Sequence, residues 1–202
     1  MMTRLSILSF VLLTFVYGPT NACTNFIVTP GASEDGSMML AYNADDYDTY
    51  GGLYHYAAKN SSNASRKIWD WETGGYLGKI PEPEVTYNVI GNCNEFGLCM
   101  GETTWGGVKE LSATPQKRAL LDYGSLLWIT LQRSRDAKEA IEIMTTLMET
   151  YGYASTGETF SIVDKNDAWI MDLIGRGPEK LGAVWVALRI PDGNILVHAN
   201  RA

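Results

Sequence analysis

The chain has 202 residues, 46% of them hydrophobic and 19% charged, with 11 Tyr and 6 Trp. Such a chain is too apolar and too aromatic to stay disordered, and its length suits one globular domain or at most two small ones. A formal charge of −7 leaves no electrostatic footprint for nucleic acid and argues against an anionic membrane surface as partner. The 3 Cys are too few for a disulfide scaffold, and their odd number leaves at least one thiol outside any intramolecular pairing.

Met1 to Arg4 carry one positive charge, and Leu5 to Gly18 form an apolar run too short for a stable membrane anchor. Pro19, Thr20, Asn21 and Ala22 follow, small or turn-forming, with Ala22 where a signal peptidase requires a small side chain. The order of charge, apolar run and small-residue stop reads as an export signal over residues 1–22, with the mature domain over 23–202 and a periplasmic or extracellular destination. No second apolar run is long enough to span a membrane.

A cut at Ala22/Cys23 leaves a cysteine first, which has two chemical meanings. In one, Cys23 is acylated through a lipobox and tethers a binding protein to the cell surface; the aliphatic residue usual three places before such a cysteine is here Thr20. In the other, the Cys23 thiol and its own α-amine sit on one Cα. That amine, with an ordinary pKa of about 7.7 to 8, serves as the base that activates the sulfur. Residues 25–29 read as a strand, 30–36 as a Gly-rich turn and 37–42 as a returning strand, so structure begins within two residues of Cys23. A flexible lipoprotein tether is not built that way. The hairpin brings Asn43, Asp45, Asp46 and Asp48 back beside Cys23, and Asp45 is the first choice to hold the α-amine. The plainer alternative is a solvated acidic loop, without the glycine and bidentate Glu of an EF-hand.

Further along, residues 53–58 alternate enough for a strand, and 60–84 read as a long surface loop stapled by Trp69, Trp71 and Tyr76, of the kind that frames pockets. Thr86 to Gly91 and Leu98 to Thr104 read as a hairpin around Asn94-Glu95-Phe96-Gly97. Cys93 and Cys99 flank that turn and either pair or remain buried thiols; two Cys without a suitably spaced His do not make a zinc site. A helix apolar nearly all round starts at Asp122 or Gly124 and runs to about Arg133. A second, amphipathic helix begins at an Asp136-Ala-Lys-Glu139 capping box and stops at Gly152, its Met144 and Met148 directed to the core. Hairpins are then expected across residues 165–167 and across 191–194. Of the 2 His, His55 reads as structural. His198 lies beside Asn200 within reach of the site, and a Cys–His enzyme using Cys93 or Cys99 with His198 stays open as an alternative.

Cys-Thr-Asn-Phe-Ile-Val directly after a leader, Ala-Ser-Glu-Asp-Gly-Ser, Gly91-Asn92-Cys93-Asn94-Glu95-Phe96-Gly97-Leu98, Gly101-Glu102-Thr103-Thr104, Val184-Trp185-Val186-Ala187 and His198-Ala199-Asn200 together resemble secreted cysteine dipeptidases. These are the dipeptidase A or PepD type of N-terminal-nucleophile hydrolases, related to bile-salt hydrolases and penicillin V acylases. The resemblance implies an α+β fold of four layers, αββα, with two stacked, mainly antiparallel sheets covered by helices, and hydrolysis of short peptides through a thioester without a cofactor. It assigns Cys23 as nucleophile, Asp45 as the carboxylate orienting the amine, Asn94 to the oxyanion hole and Asn200 to a polar group near the scissile amide. Tyr42 stands where related hydrolases usually have Arg, leaving a hydroxyl donor instead of a cation beside the thiol. Glu102 either orients a substrate amine or is a strand-end carboxylate. Such dipeptidases are much longer, so the resemblance implies an N-terminal part of a longer domain, with an open sheet edge able to pair with a second copy. A lipid-anchored protein, a related linear-amide hydrolase and an inactive fragment are the competing readings.

Overall fold

A computed structural model describes residues 23–45, 53–112 and 118–201; residues 1–22, expected as an export signal, and the acceptors Asp46 and Asp48 lie outside them. The elements in chain order are β1 (Thr24–Val28), a 3₁₀ turn (Pro30–Ala32), β2 (Met39–Asn43), β3 (His55–Tyr56), β4 (Lys59–Asn60), β5 (Ser65–Trp69) and β6 (Tyr76–Pro81). Next come β7 (Val85–Thr86), β8 (Val89–Ile90), β9 (Cys93–Asn94), β10 (Cys99–Trp105), α1 (Lys109–Ser112), α2 (Tyr123–Leu131) and α3 (Ala137–Tyr151). The order ends with β11 (Gly157–Val163), β12 (Ala168–Gly175), β13 (Ala183–Arg189) and β14 (Ile195–Ala199).

Two antiparallel sheets are stacked, one in the order β14-β1-β2 and one in the order β13-β12-β11-β10-β9-β8-β3. The small sheet lies on β10 and β11, while α2 and α3 cover the opposite face of the large one. Alternation along the strands explains this division. On β10 and β11, Met100, Phe160 and Ile162 point to the helices and join Leu126, Ile129, Leu131, Met144 and Met148 in the main core. Ile27, Val163, Ala168 and Ile190 form a second core beside the small sheet. Each such side chain, fully removed from water, contributes roughly 1.5–3 kcal/mol, so the helix-facing core dominates the fold. Where Asn25 crosses Gly101 the sheets come so close that a Cβ at Gly101 would lie 2.7 Å from Asn25 Oδ1.

The helices form where their signals stand. Asp122 Oδ1 accepts from the Ser125 N–H and caps α2, which is apolar on nearly every side and is buried between sheet and loop. Asp136 accepts from the Glu139 N–H, while the Glu139 carboxylate reaches back to the Arg135 N–H; Gly152, at φ 77°, ends α3. The stretch expected as a loop over 60–84 instead contains the β5–β6 hairpin. Ile68 and Ile80 are buried on its inner side, and the Trp69 and Tyr76 rings meet at 5.0 Å on its outer side. The strand expected over 53–58 shortens to His55–Tyr56, and 86–91 divides, Val85–Thr86 pairing with β4 and Val89–Ile90 joining the large sheet. Residues 191–194 do not close a hairpin either. β13 pairs with β12 and β14 with β1, because Thr29 bonds Asn194 and Asp192 Oδ1 accepts from the Gly31 N–H, carrying the chain from one sheet to the other.

The α+β sandwich is therefore present as helix layer, large sheet and small sheet. No helix among the described residues covers the outer face of the small sheet, where Phe26, Met39, Ile195 and Val197 are exposed. Cys93 and Cys99, directly opposite on β9 and β10, form a disulfide with Cα atoms 4.1 Å apart. This removes both thiols from the Cys–His alternative. No helix among the described residues is long and apolar enough to cross a membrane.

Candidate active site

The start of the central strand of the small sheet is the point from which the site is built. Thr24 pairs with Asn43 on one side and Ala199 on the other, so one residue earlier the antiparallel register sets Cys23 between Ala44 and Asn200. All three line a cavity of about 590 Å³, together with Tyr42 and Asp45. The β1–β2 hairpin alone explains the approach of Asp45; Asn200 arrives through the crossover that makes β14 the other neighbour of β1.

The opposite wall is the edge of β10. β9 is only two residues long and pairs with β10 only at Cys99, which leaves the rest of that edge to side chains. Asn92 covers Met100, its carbonyl accepting from the Met100 N–H and its Nδ2 donating to the Met100 carbonyl at 2.9 Å. Asn200 Nδ2 donates to the Thr104 carbonyl at 2.6 Å, and its Oδ1 is buried without a protein donor. Between these anchors lies Glu102, 6% exposed, whose Oε1 accepts from the Tyr42 hydroxyl and whose Oε2 is buried without a donor. Glu158, opposite Thr104 on β11 and fully buried, accepts from the Thr104 hydroxyl and lies beside the Glu102 carboxyl.

These contacts set the charges. Burial first, then the neighbouring Glu102 carboxyl, push the Glu158 carboxyl well above the ordinary carboxylate range, with the Thr104 hydroxyl opposing. Burial and the Glu102 carboxylate likewise raise the Tyr42 phenol, which stays a protonated donor. Among the described residues lining the cavity with Cys23 and Tyr42 there is no Lys or Arg.

The remaining wall is apolar. Trp71, Trp128 and Tyr54 pack with ring centroids 4.2 Å (Trp71–Trp128), 5.0 Å (Tyr54–Trp71) and 5.3 Å (Tyr54–Trp128) apart, flanked by Leu53 and Leu127. Asp122 Oδ2 accepts from the Trp71 N–H, Trp128 Nε1 donates to the Gly91 carbonyl, and a Cβ on Gly124 would lie 2.8 Å from Trp71 Cγ. Trp71 belongs to the segment read as a pocket-framing stretch, and Glu158 stands in the 153–161 stretch that the sequence sets at the pocket border without a role; the parts of Asn92 and Trp128 carried no sequence signal.

Of the residues expected at the site, Cys23, Tyr42, Asp45, Glu102 and Asn200 come together. Asn94 and His198 do not. Asn94 is buried in the β9–β10 turn; its Nδ2 donates to the Leu131 and Ser134 carbonyls and its Oδ1 accepts from the Phe96 and Leu98 N–H groups. An amide with every position engaged in holding a turn to the end of α2 has nothing to offer an oxyanion. His198 lies between the sheets, Nε2 2.7 Å from Ser161 Oγ and 3.3 Å from Asn25 Nδ2, with Nδ1 3.0 Å from Thr103 Oγ1. Burial holds its pKa below the ordinary value, with Asp172 pulling the other way. His55, on the surface, bonds Asn88.

The site thus sets a cysteine at the head of the central strand of one sheet of a stacked-sheet α+β protein, beside a cavity lined by carboxyl side chains. The sequence profile of Peptidase family C69 matches residues 22–202, and the chain belongs to that family. It is 21% identical to a probable dipeptidase B of Streptococcus pyogenes serotype M1, over 97% of this chain and 41% of that protein. To a probable dipeptidase A of Streptococcus pyogenes serotype M3 (strain SSI-1) it is 25% identical, over 89% of this chain and 40% of that one. A probable dipeptidase B of Lactococcus lactis subsp. lactis (strain IL1403) is 26% identical, over 89% and 39% respectively. The chain thus spans about two fifths of the length of these curated relatives.

Proposed function

We propose that this chain is an exported dipeptidase whose nucleophile is Cys23, exposed as the first residue by cleavage after Ala22, and that it acts in the periplasm or outside the cell on short peptides. The observation carrying the reading is the convergence of Cys23, Tyr42, Asp45, Glu102 and Asn200 on one cavity in a member of Peptidase family C69. In the working cycle the Cys23 α-amine takes the thiol proton while Sγ attacks the scissile carbonyl, and Asp45 orients the resulting ammonium. The amine returns its proton to the departing nitrogen, a thioester remains, and water deprotonated by the same amine releases the first amino acid.

Asn94 being remote, the oxyanion needs other donors. Met100 and Thr104 direct their backbone groups to the edge of β10 that faces the cavity, and the two-residue period of an antiparallel strand turns the Glu102 N–H the same way. That N–H and the second N–H of Asn200 are the donors assigned here.

The test is to express the chain starting at Cys23 and compare dipeptide hydrolysis with Cys23→Ser and with a form carrying one extra residue before Cys23. Both changes are expected to lower kcat/KM by about 10³-fold or more. Equal activity in all three forms overturns the mechanism. Intact mass of the secreted protein gives the first residue directly, and an added diacylglyceryl group would support the lipid-anchored reading instead.

A further inference from the structure

Two features of the cavity are not used by the chemistry just described: the side-chain carboxyl of Glu102 and the aromatic wall of Trp71, Trp128 and Tyr54. Taken with the position of Cys23, they define a substrate. In a dipeptide with a free amino terminus, the α-ammonium and the carbonyl carbon that the sulfur attacks are joined by a single carbon. A group that binds the ammonium must therefore stand beside Cys23, and the first side chain, branching from that same carbon, must leave in another direction.

Glu102 stands there. It is 6% exposed and lines the cavity with Cys23, and the donor to its Oε1 is the neutral Tyr42 hydroxyl rather than a cation. Its Oε2 has no donor among the protein hydrogen bonds, and Glu158 behind it holds a second carboxyl in the same buried place. A carboxyl buried at a cavity wall, with the Tyr42 hydroxyl as its protein hydrogen-bond donor, is costly unless a cation or further donors complete it. An ammonium supplies both. On the other side the aromatic rings are held by the Trp71 N–H bond to Asp122 and the Trp128 indole bond to Gly91, so they present a rigid apolar surface with little ordering cost on binding.

We propose that, among the unblocked dipeptides a dipeptidase takes, this site selects those with an aromatic or large aliphatic first residue, the ammonium resting on Glu102 and the first side chain lying against Trp71, Trp128 and Tyr54. The proposal rests on the dipeptidase reading and deepens it. Glu102 and Trp71 then act on specificity, and neither takes part in bond making or breaking.

Binding and turnover are measured separately so that failure of one reading is distinguishable from failure of the other. The chain with Cys23→Ala is titrated calorimetrically with Phe-Gly, Gly-Phe, Gly-Gly and N-acetyl-Phe-Gly, and the thiol form is assayed with the same peptides. Phe-Gly is expected to bind about 30-fold tighter than Gly-Gly, the equivalent of burying one large apolar side chain. Gly-Phe should resemble Gly-Gly, and N-acetylation should weaken Phe-Gly by about 30-fold through loss of the charge-assisted bond. In Glu102→Gln the acetylated and free peptides should bind alike. In Tyr54→Ala and Trp71→Ala the advantage of Phe-Gly over Gly-Gly should shrink, and Trp71→Phe, which keeps a ring in place if the alanine form folds poorly, should restore most of it. Equal binding of acetylated and free peptide to the parent, or a preference that follows the second residue, overturns the assignment even if hydrolysis is observed. The expected ranking without turnover in the thiol form would instead sink the dipeptidase reading and leave the recognition site standing.

Discussion

Glu158 is the residue whose burial has the clearest thermodynamic consequence. In the folded protein its carboxyl keeps its proton well above the ordinary value of 4.5, because burial and the Glu102 carboxyl both oppose ionisation. An unfolded chain releases that proton near 4.5, so above this pH the folded state binds more protons than the unfolded one. The slope of stability with pH is then negative until the folded pKa is passed. Stability from this group is complete at low pH and is lost as pH rises. Glu158→Gln keeps the shape and an oxygen to accept from the Thr104 hydroxyl while removing the titration. The expected outcome is that the melting temperature of Glu158→Gln rises relative to the parent between about pH 4.5 and pH 8, with the two curves meeting near pH 4. Thermal unfolding followed by circular dichroism across that range measures it, and parallel curves would contradict the raised Glu158 carboxyl. Asn94 makes the complementary point. Both Asn94 and Asn200 stand in conspicuous motifs, and nothing in either motif distinguishes an asparagine that lines a cavity from one that ties a turn to a helix end; only the hydrogen bonds to Leu131 and Ser134, distant in sequence, separate the roles.

Among the elements, α2 bears most directly on the site, because its N-cap has two tasks. One oxygen of Asp122 caps the helix at Ser125 and the other holds the Trp71 backbone, both at 2.6 Å. Removing the carboxylate therefore frees the helix end and releases the aromatic wall. Asp122→Ala is expected to lower stability by about 2 kcal/mol, one from the cap and the rest from the Trp71 bond. Tryptophan emission should shift to the red as the Trp71 indole gains water. Chemical denaturation and fluorescence of the same samples check both, and an unshifted spectrum would show that Trp71 is held by its ring contacts alone. The helix starts were legible in the sequence because capping is local: Asp122, Asp136 and Gly152 announce α2 and α3 within a few residues. The β5–β6 hairpin was not, since Ile68 and Ile80 are widely spaced among polar neighbours and their burial depends on packing against elements distant in the chain. The same reason hides the crossover at 191–194. A Pro-Asp-Gly-Asn turn is compatible with a hairpin, and what redirects it is Thr29, far back in the sequence, bonding Asn194.

For the molecule as a whole, the decisive feature is the surface that the two sheets leave uncovered. Phe26 is 43% exposed and stands directly opposite Val197, 53% exposed, on the outer face of the small sheet, with Met39 and Ile195 beside them. On β13, the edge strand of the large sheet, Val184, Val186 and Leu188 are also exposed. Apolar residues scattered over a surface need no explanation, but a continuous cross-strand row beside unpaired strand edges is a site for association. The row on β1 and β14 lies on the face opposite the inter-sheet contacts of Asn25 and His198, so it can be altered without touching the core or the cavity. Replacing Phe26 and Val197 together by threonine keeps β-forming side chains while removing most of the apolar area. Since both side chains are already largely in water, the folded state should lose no more than about 1 kcal/mol. The chain from Cys23 onward should sediment as associated species at micromolar concentrations and bind a dye that reports apolar surface, whereas Phe26→Thr/Val197→Thr should move toward the monomer and bind less dye, with its far-ultraviolet spectrum unchanged. An equally associated double variant would shift the contact to the β13 edge, where Val186→Lys, placing a charge in the middle of that strand, is the corresponding change and should disperse the assembly instead.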